Sequence, residues 1–281
     1  MAERISGPAR TRFRILAAGG ALVAVTALSA CVTPTGPVQP TPVVVYDATP
    51  SPVPGNVPSL GAQARSTQEV GDHIGLAGTE RKLRQATVTM SAWGLASTPS
   101  NVTYCAGAGD SCGASGWKHE VTVNIYRVDN TGPVPTVGDL LGSAIKVITV
   151  PWRPEADPTC STTTAWRAAD GNCYNGKAFD ATFDLTGLNI VAPDEVIVGV
   201  AYNTTNHGYA PLGGSGGPYD SLNVGLSVAP PTVGTDVDAD AIFFNSSFAG
   251  FYTDGGLAGV GIFRQDTDWS GYVPAIELSA V

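Results

Sequence analysis

Apolar and polar residues alternate with a period of two over much of the chain, the signature of strands with one buried and one wet face. In Thr87-Val88-Thr89-Met90-Ser91-Ala92-Trp93 the even positions are apolar and the odd ones mostly hydroxylic. Val121, Val123 and Ile125 alternate with Thr122, Asn124 and Tyr126. Phe179, Ala181, Phe183 and Leu185 share one face, while Asp180, Thr182 and Asp184 share the other. Leu222, Val224, Leu226 and Val228 alternate in the same way with Asn223, Gly225 and Ser227. The run from Val196 to Tyr202 is apolar on both faces apart from Gly199 and predicts a central strand. Turn-forming stretches separate these segments: Asp129-Asn130-Thr131-Gly132-Pro133, Asp170-Gly171-Asn172, and Gly213 to Pro218. No amphipathic helical period exceeds about three turns. Only the stretch near Val137–Leu141 suggests a short turn of helix. About ten such strands predict an all-β fold, an antiparallel β-sandwich of jelly-roll or immunoglobulin-like type with little helix.

The N-terminal region breaks this pattern. Arg4, Arg10, Arg12 and Arg14 precede an uncharged apolar run from Ile15 to Ala30, which reads as a signal peptide over residues 1–30. A helix over that run would reach roughly 24 Å, short of the ~30 Å hydrocarbon thickness, so a retained transmembrane helix is disfavoured. Arg12 and Arg14 are not consecutive, which disfavours twin-arginine export. Leu28-Ser29-Ala30-Cys31 resembles a bacterial lipobox, in which an aliphatic residue and two small ones precede the cysteine that receives a diacylglycerol. The alternative is plain secretion, which Leu28 suits poorly. Residues 31–42 follow as a Pro-rich tether, with Pro34, Pro37, Pro40 and Pro42, and further prolines could extend it to about residue 58. Residues 32–42 span at most about 35 Å when extended. Val43-Val44-Val45-Tyr46 marks the first strand of a single domain over 43–281.

Composition narrows the partners. The chain has 15 Lys+Arg and 24 Asp+Glu; removing the leader takes four arginines and Glu3 and leaves a net charge of about −12. So acidic a surface argues against nucleic-acid binding. With 34 Gly and 21 Pro, composition leans to strands and turns. Apart from Cys31, four cysteines remain, and they fit an oxidising compartment. Four cysteines allow three pairings. The sequential one, Cys105–Cys112 with Cys160–Cys173, staples one turn-rich loop with each bond, for roughly 2–3 kcal/mol apiece. Neither spacing is that of a zinc site.

Gly71-Asp72-His73-Ile74-Gly75-Leu76-Ala77-Gly78-Thr79-Glu80-Arg81, followed by Leu83 and the Val88–Trp93 strand, resembles exported bacterial β-sandwich proteins of the choice-of-anchor type. Tyr219-Asp220-Ser221-Leu222-Asn223-Val224-Gly225-Leu226 and Val233-Gly234-Thr235-Asp236-Val237-Asp238 share that character. The resemblance implies a β-sandwich displayed on different surface-attachment devices. It implies no activity and no catalytic residue.

Several residue groups could carry chemistry. Gly213-Gly214-Ser215-Gly216-Gly217-Pro218 matches G-x-S-x-G and looks like the nucleophile loop of trypsin-like proteases, with His73 upstream. Gly214 stands where those enzymes carry an acid, and no strand-then-helix frames Ser215 as a hydrolase elbow requires. Histidine is otherwise limited to His119 and His207. Asp194-Glu195 is the acidic doublet, and neighbours on a strand point to opposite faces, unlike the facing carboxylates of a glycosidase. Asp236, Asp238 and Asp240 would share a face of an extended segment and could hold a structural Ca2+, although Ala241 and Ser247 break the EF-hand pattern. Asp266 and Asp268 form a weaker pair of this kind. Trp152, Trp166 and Tyr174 lie in polar, turn-rich surroundings, and rings so placed can stack on sugars. The competing reading is that they pack over the ends of the sandwich. Asn101, Asn203 and Asn245 head N-x-S/T triplets, taken as chance matches beside a bacterial lipobox.

The sequence thus points to a non-catalytic lipoprotein held at a membrane through Cys31, with a structural, adhesive or glycan-binding role. Its partner would be a cell-wall or environmental glycan. The alternative is a secreted hydrolase using Ser215 or a carboxylate pair.

Overall fold

A computed structural model describes residues 40–62, 65–98, 105, 112–202 and 222–281. Among them seventeen strands, numbered along the chain, form two sheets and one short ribbon. The first sheet holds β1 (Val43–Asp47), β2 (Ser59–Leu60), β4 (Leu83–Ala92), β10 (Lys177–Asp184), β12 (Leu222–Ser227), β16 (Val273–Pro274) and β17 (Ile276–Ala280). The second holds β3 (Thr67–Gly75), β5 (Cys112–Gly113), β6 (Gly116–Asp129), β7 (Thr136–Pro151), β11 (Glu195–Tyr202), β13 (Thr235–Asp236), β14 (Ala241–Ser246) and β15 (Arg264–Thr267). The ribbon pairs β8 (Trp166–Arg167) with β9 (Cys173–Tyr174). All ladders between these strands are antiparallel, so the chain is an all-β sandwich.

β4 is the spine of the first sheet. It pairs with β10 along one side and with β17 and β12 along the other. In the second sheet β11 is central, between β3 and β6, as its two apolar faces require. Val88, Met90, Phe183 and Leu278 of the first sheet meet Val70, Val123, Val198 and Phe244 of the second in one core. Each large side chain fully buried there contributes about 1.5–3 kcal/mol.

More strands are present than the roughly ten that alternation predicts, because six of them are two-residue pieces too short to show a period. Val137–Leu141 is a second correction. It lies within β7, where a long ladder with β6 supplies backbone partners that a single helical turn would lack. The described 3-10 turns are Thr186–Leu188 and Ala249–Phe251.

The prolines between 50 and 58 belong to the folded body. This arm runs along the first sheet: the Gly55 carbonyl accepts from the Ala178 N–H (3.0 Å) and the Pro58 carbonyl from the Leu226 N–H (2.7 Å). It also helps explain why Ser91, on the nominally wet face of β4, is buried, while Thr89 on that face is buried beside Asp180 of β10. Their hydroxyls donate to Asp180 Oδ1 (2.7 Å) and Asn56 Oδ1 (2.7 Å).

Register gives the sandwich two distinct ends. Val43 pairs with Ala280, and Ala280 with Leu83, so the chain comes into the body beside the start of β4. Lys177 and Leu222 both pair with Ala92 at its other end, about 30 Å away over ten residues. The loop joining β7 to β10 reaches that second end.

Candidate functional site

The β7–β10 connection, residues 152–176, is braced from within. Cys160 and Cys173 form a disulfide across it, and Cys105 and Cys112 form the other, as the sequential pairing requires. Arg167 donates to the Thr159 carbonyl (3.0 Å) and to the Gly171 carbonyl (2.7 Å), tying the two limbs of the loop together. Asp157 accepts from the Thr159 N–H (2.7 Å), closing a turn beside Cys160.

This bracing sets Trp166 against Tyr174, cross-strand partners on the β8–β9 ribbon, with ring centroids 6.1 Å apart and planes tilted by 43°. The Trp166 indole N–H donates to the Gly176 carbonyl (2.7 Å), and the Tyr174 hydroxyl to Asp170 Oδ2 (2.7 Å). Tyr174 also packs over Gly55 of the proline arm, where any added Cβ would run into its ring. Trp152 is not part of this group. It packs on Trp117 at 5.0 Å and donates to the Gly113 carbonyl, beside the other disulfide loop. The three rings therefore do not form one coplanar platform.

What the loop does form is a cleft of about 740 Å³ between itself, the proline arm and the leading half of β10. Trp166 and Phe179 give it aromatic surface, and Asp170, Lys177 and Asp180 line it with charge. Hydrogen bonds from the Asn172 N–H and then the Tyr174 hydroxyl hold the Asp170 carboxyl below the usual carboxylate range. Asp170 is thus ionised at neutral pH. The same bond raises the Tyr174 phenol. The cleft can receive a flat, hydroxyl-rich face against Trp166 and accept its hydrogen bonds with carboxylate oxygens.

The hydrolase residues are placed differently. Ser215 and His207 lie outside the described residues, as do Cys31, the leader and residues 31–39 of the tether. His73 is 2% exposed, with Nδ1 3.0 Å from Asp238 Oδ2 and Nε2 3.2 Å from Glu195 Oε2. Both ring nitrogens are thereby engaged inside the protein. Asp194 instead pairs with Arg81 (2.8 Å), so the acidic doublet serves two separate contacts.

The aspartate triplet is also dispersed. Strand β13 ends at Asp236 and the chain then turns, the Ala241 N–H donating to the Asp238 carbonyl (2.7 Å). Asp236 points inward, Asp238 meets His73, and Asp240 is exposed, so the single shared face of an extended segment does not form. Among the described residues no group of three or more His, Cys, Asp or Glu side chains is arranged to hold a metal ion. Asp266 is buried and accepts from Thr253 and from the Trp269 indole N–H, a structural role.

Sequence reasoning missed the cleft's other wall, because nothing in Pro52-Val53-Pro54-Gly55 marks it as folded rather than tether. It also missed Glu69, Asp72 and Tyr46. For Asp72 and Tyr46 the only signal was a polar or amphipathic residue at an inward position of a strand; Glu69, on the outward face of β3, carried none.

No protein-family model matches the chain, and no curated protein or solved structure is significantly similar to it.

Proposed function

We propose that this chain is an exported, lipid-anchored surface protein that binds glycans without catalysis, in the cleft beside Trp166. The observation that carries the reading is where that cleft sits. It lies toward the end of the sandwich far from where the chain comes in, on a loop already stiffened by a disulfide and by arginine-to-carbonyl bonds. A wall ordered before binding reduces the conformational cost of taking a ligand. Lipid at Cys31 would then tether the body through the segment that enters it beside the start of β4, away from the cleft. The resemblance to choice-of-anchor proteins supports display of this kind. Engagement of both His73 nitrogens disfavours that residue as the base of a serine hydrolase.

A glycan array probed with the protein and with Trp166→Ala tests the proposal. Binding of one or more glycans is expected, with a drop of tenfold or more for Trp166→Ala and no loss of fold by circular dichroism. Silence across the array, or equal binding by the variant, would contradict it.

A further inference from the structure

We propose that Asp72, Asp236 and the Tyr46 hydroxyl form a binding site for a hard divalent cation of the calcium type. The three reach one place from three strands. Asp72 lies on β3 between Val70 and Ile74, on the face that those two residues turn to the core. Asp236 of β13 stands directly opposite Ile74, so its side chain falls on that same face, one position diagonally from Asp72. Tyr46 comes from β1 in the other sheet, with its ring against Gly234, two residues before Asp236.

Each of the three side chains has a buried oxygen without a hydrogen-bond partner. They are Asp72 Oδ2, Asp236 Oδ1 and the Tyr46 hydroxyl. Asp72 is 1% exposed and Tyr46 fully buried. Among the described residues the other Asp72 oxygen accepts only the His73 N–H (2.9 Å). The ion pairs of the described residues include neither carboxylate. Carboxylates in a protein core cost several kcal/mol each unless a counter-charge meets them. Here two of them converge with a phenol, and among the described residues no Lys or Arg pairs with them.

A donor set made wholly of oxygen selects hard cations over zinc or copper. Ca2+ accepts irregular coordination and takes carbonyl and water oxygens beside carboxylates. Asp236 is half-buried, so of the three side chains it stands nearest to solvent. The site differs from the dispersed Asp236, Asp238 and Asp240 triplet. It keeps Asp236 and draws its other donors from strands far away in sequence.

The test compares the thermal unfolding of the full chain after EDTA treatment with that in excess Ca2+, and follows Tb3+ luminescence excited through the aromatic residues. Calcium is expected to raise the Tm by several degrees. Tb3+ emission is expected to rise on binding and to fall again as Ca2+ competes. Asp72→Asn and Asp236→Asn should each abolish the calcium-dependent rise in Tm, while Asp266→Asn should keep it. Asp236 sits at the rim, so its variant serves if Asp72→Asn does not fold. A Tm equal in EDTA and in Ca2+ would overturn the proposal. So would a rise preserved in Asp236→Asn.

Discussion

Glu69 rests on the outer side of the second sheet where a paired strand offers no side chain. Gly199 stands opposite Gly71, and a Cβ at Gly199 would collide with the Glu69 carboxyl. Asn124 (2.8 Å) and Tyr126 (3.0 Å) both donate to Glu69 Oε1. Burial pushes the Glu69 carboxyl above the usual carboxylate range, and those two hydrogen bonds only partly oppose it. An acid with a raised folded pKa gives stability that is complete below its ordinary value of about 4.3 and is lost as pH rises through the raised one. Glu69→Gln keeps the shape and removes the titration. Its urea midpoint should therefore fall less between pH 4 and pH 7 than the parent's, and parallel profiles would refute this. Gly199→Ala should cost about 1–3 kcal/mol by overpacking, read from the same urea transitions. None of this was legible beforehand. A glutamate in Thr67-Gln68-Glu69-Val70 reads as solvated until the bare glycine across the ladder is known.

At the scale of elements, alternation did most of the work. Val88, Met90 and Ala92, then Ala181 and Phe183, are buried as their spacing demands. Phe183→Ala should therefore destabilise by about 3–5 kcal/mol in chemical denaturation. Elements that depend on covering neighbours were not readable. Thr89 and Ser91 carry a wet-face signature yet are buried, Thr89 beside Asp180 and Ser91 against Asn56 of the proline arm, because local period reports one strand's faces and not what distant segments lay over them. The disulfide loop was legible as a staple but not as one wall of a cleft. Replacing Cys160 and Cys173 together by serine should lower stability by about 3 kcal/mol, on the loop-entropy estimate for a loop of this length. The same change should weaken the proposed glycan binding, since it loosens the Trp166 wall. Equal affinity in the reduced-loop variant would show that the disulfide does not organise the cleft.

The body over residues 40–281 has a near end and a far end. Two antiparallel sheets place the start of β1 and the cleft-bearing loop on opposite sides of a layer about 30 Å long. That polarity suits a domain tied down at one end. Its acidic surface also disfavours close contact with anionic headgroups. The fold class followed from period and composition, whereas this polarity did not, because register is a property of pairs of strands. The proposed outward display at a membrane surface rests on acyl attachment at Cys31. The direct measurement is intact mass spectrometry of the protein taken from its own cells. The expected result is a chain that starts at Cys31, carries a diacylglyceryl group there, and has no free thiol. An unprocessed N-terminus, or five free thiols, would contradict it.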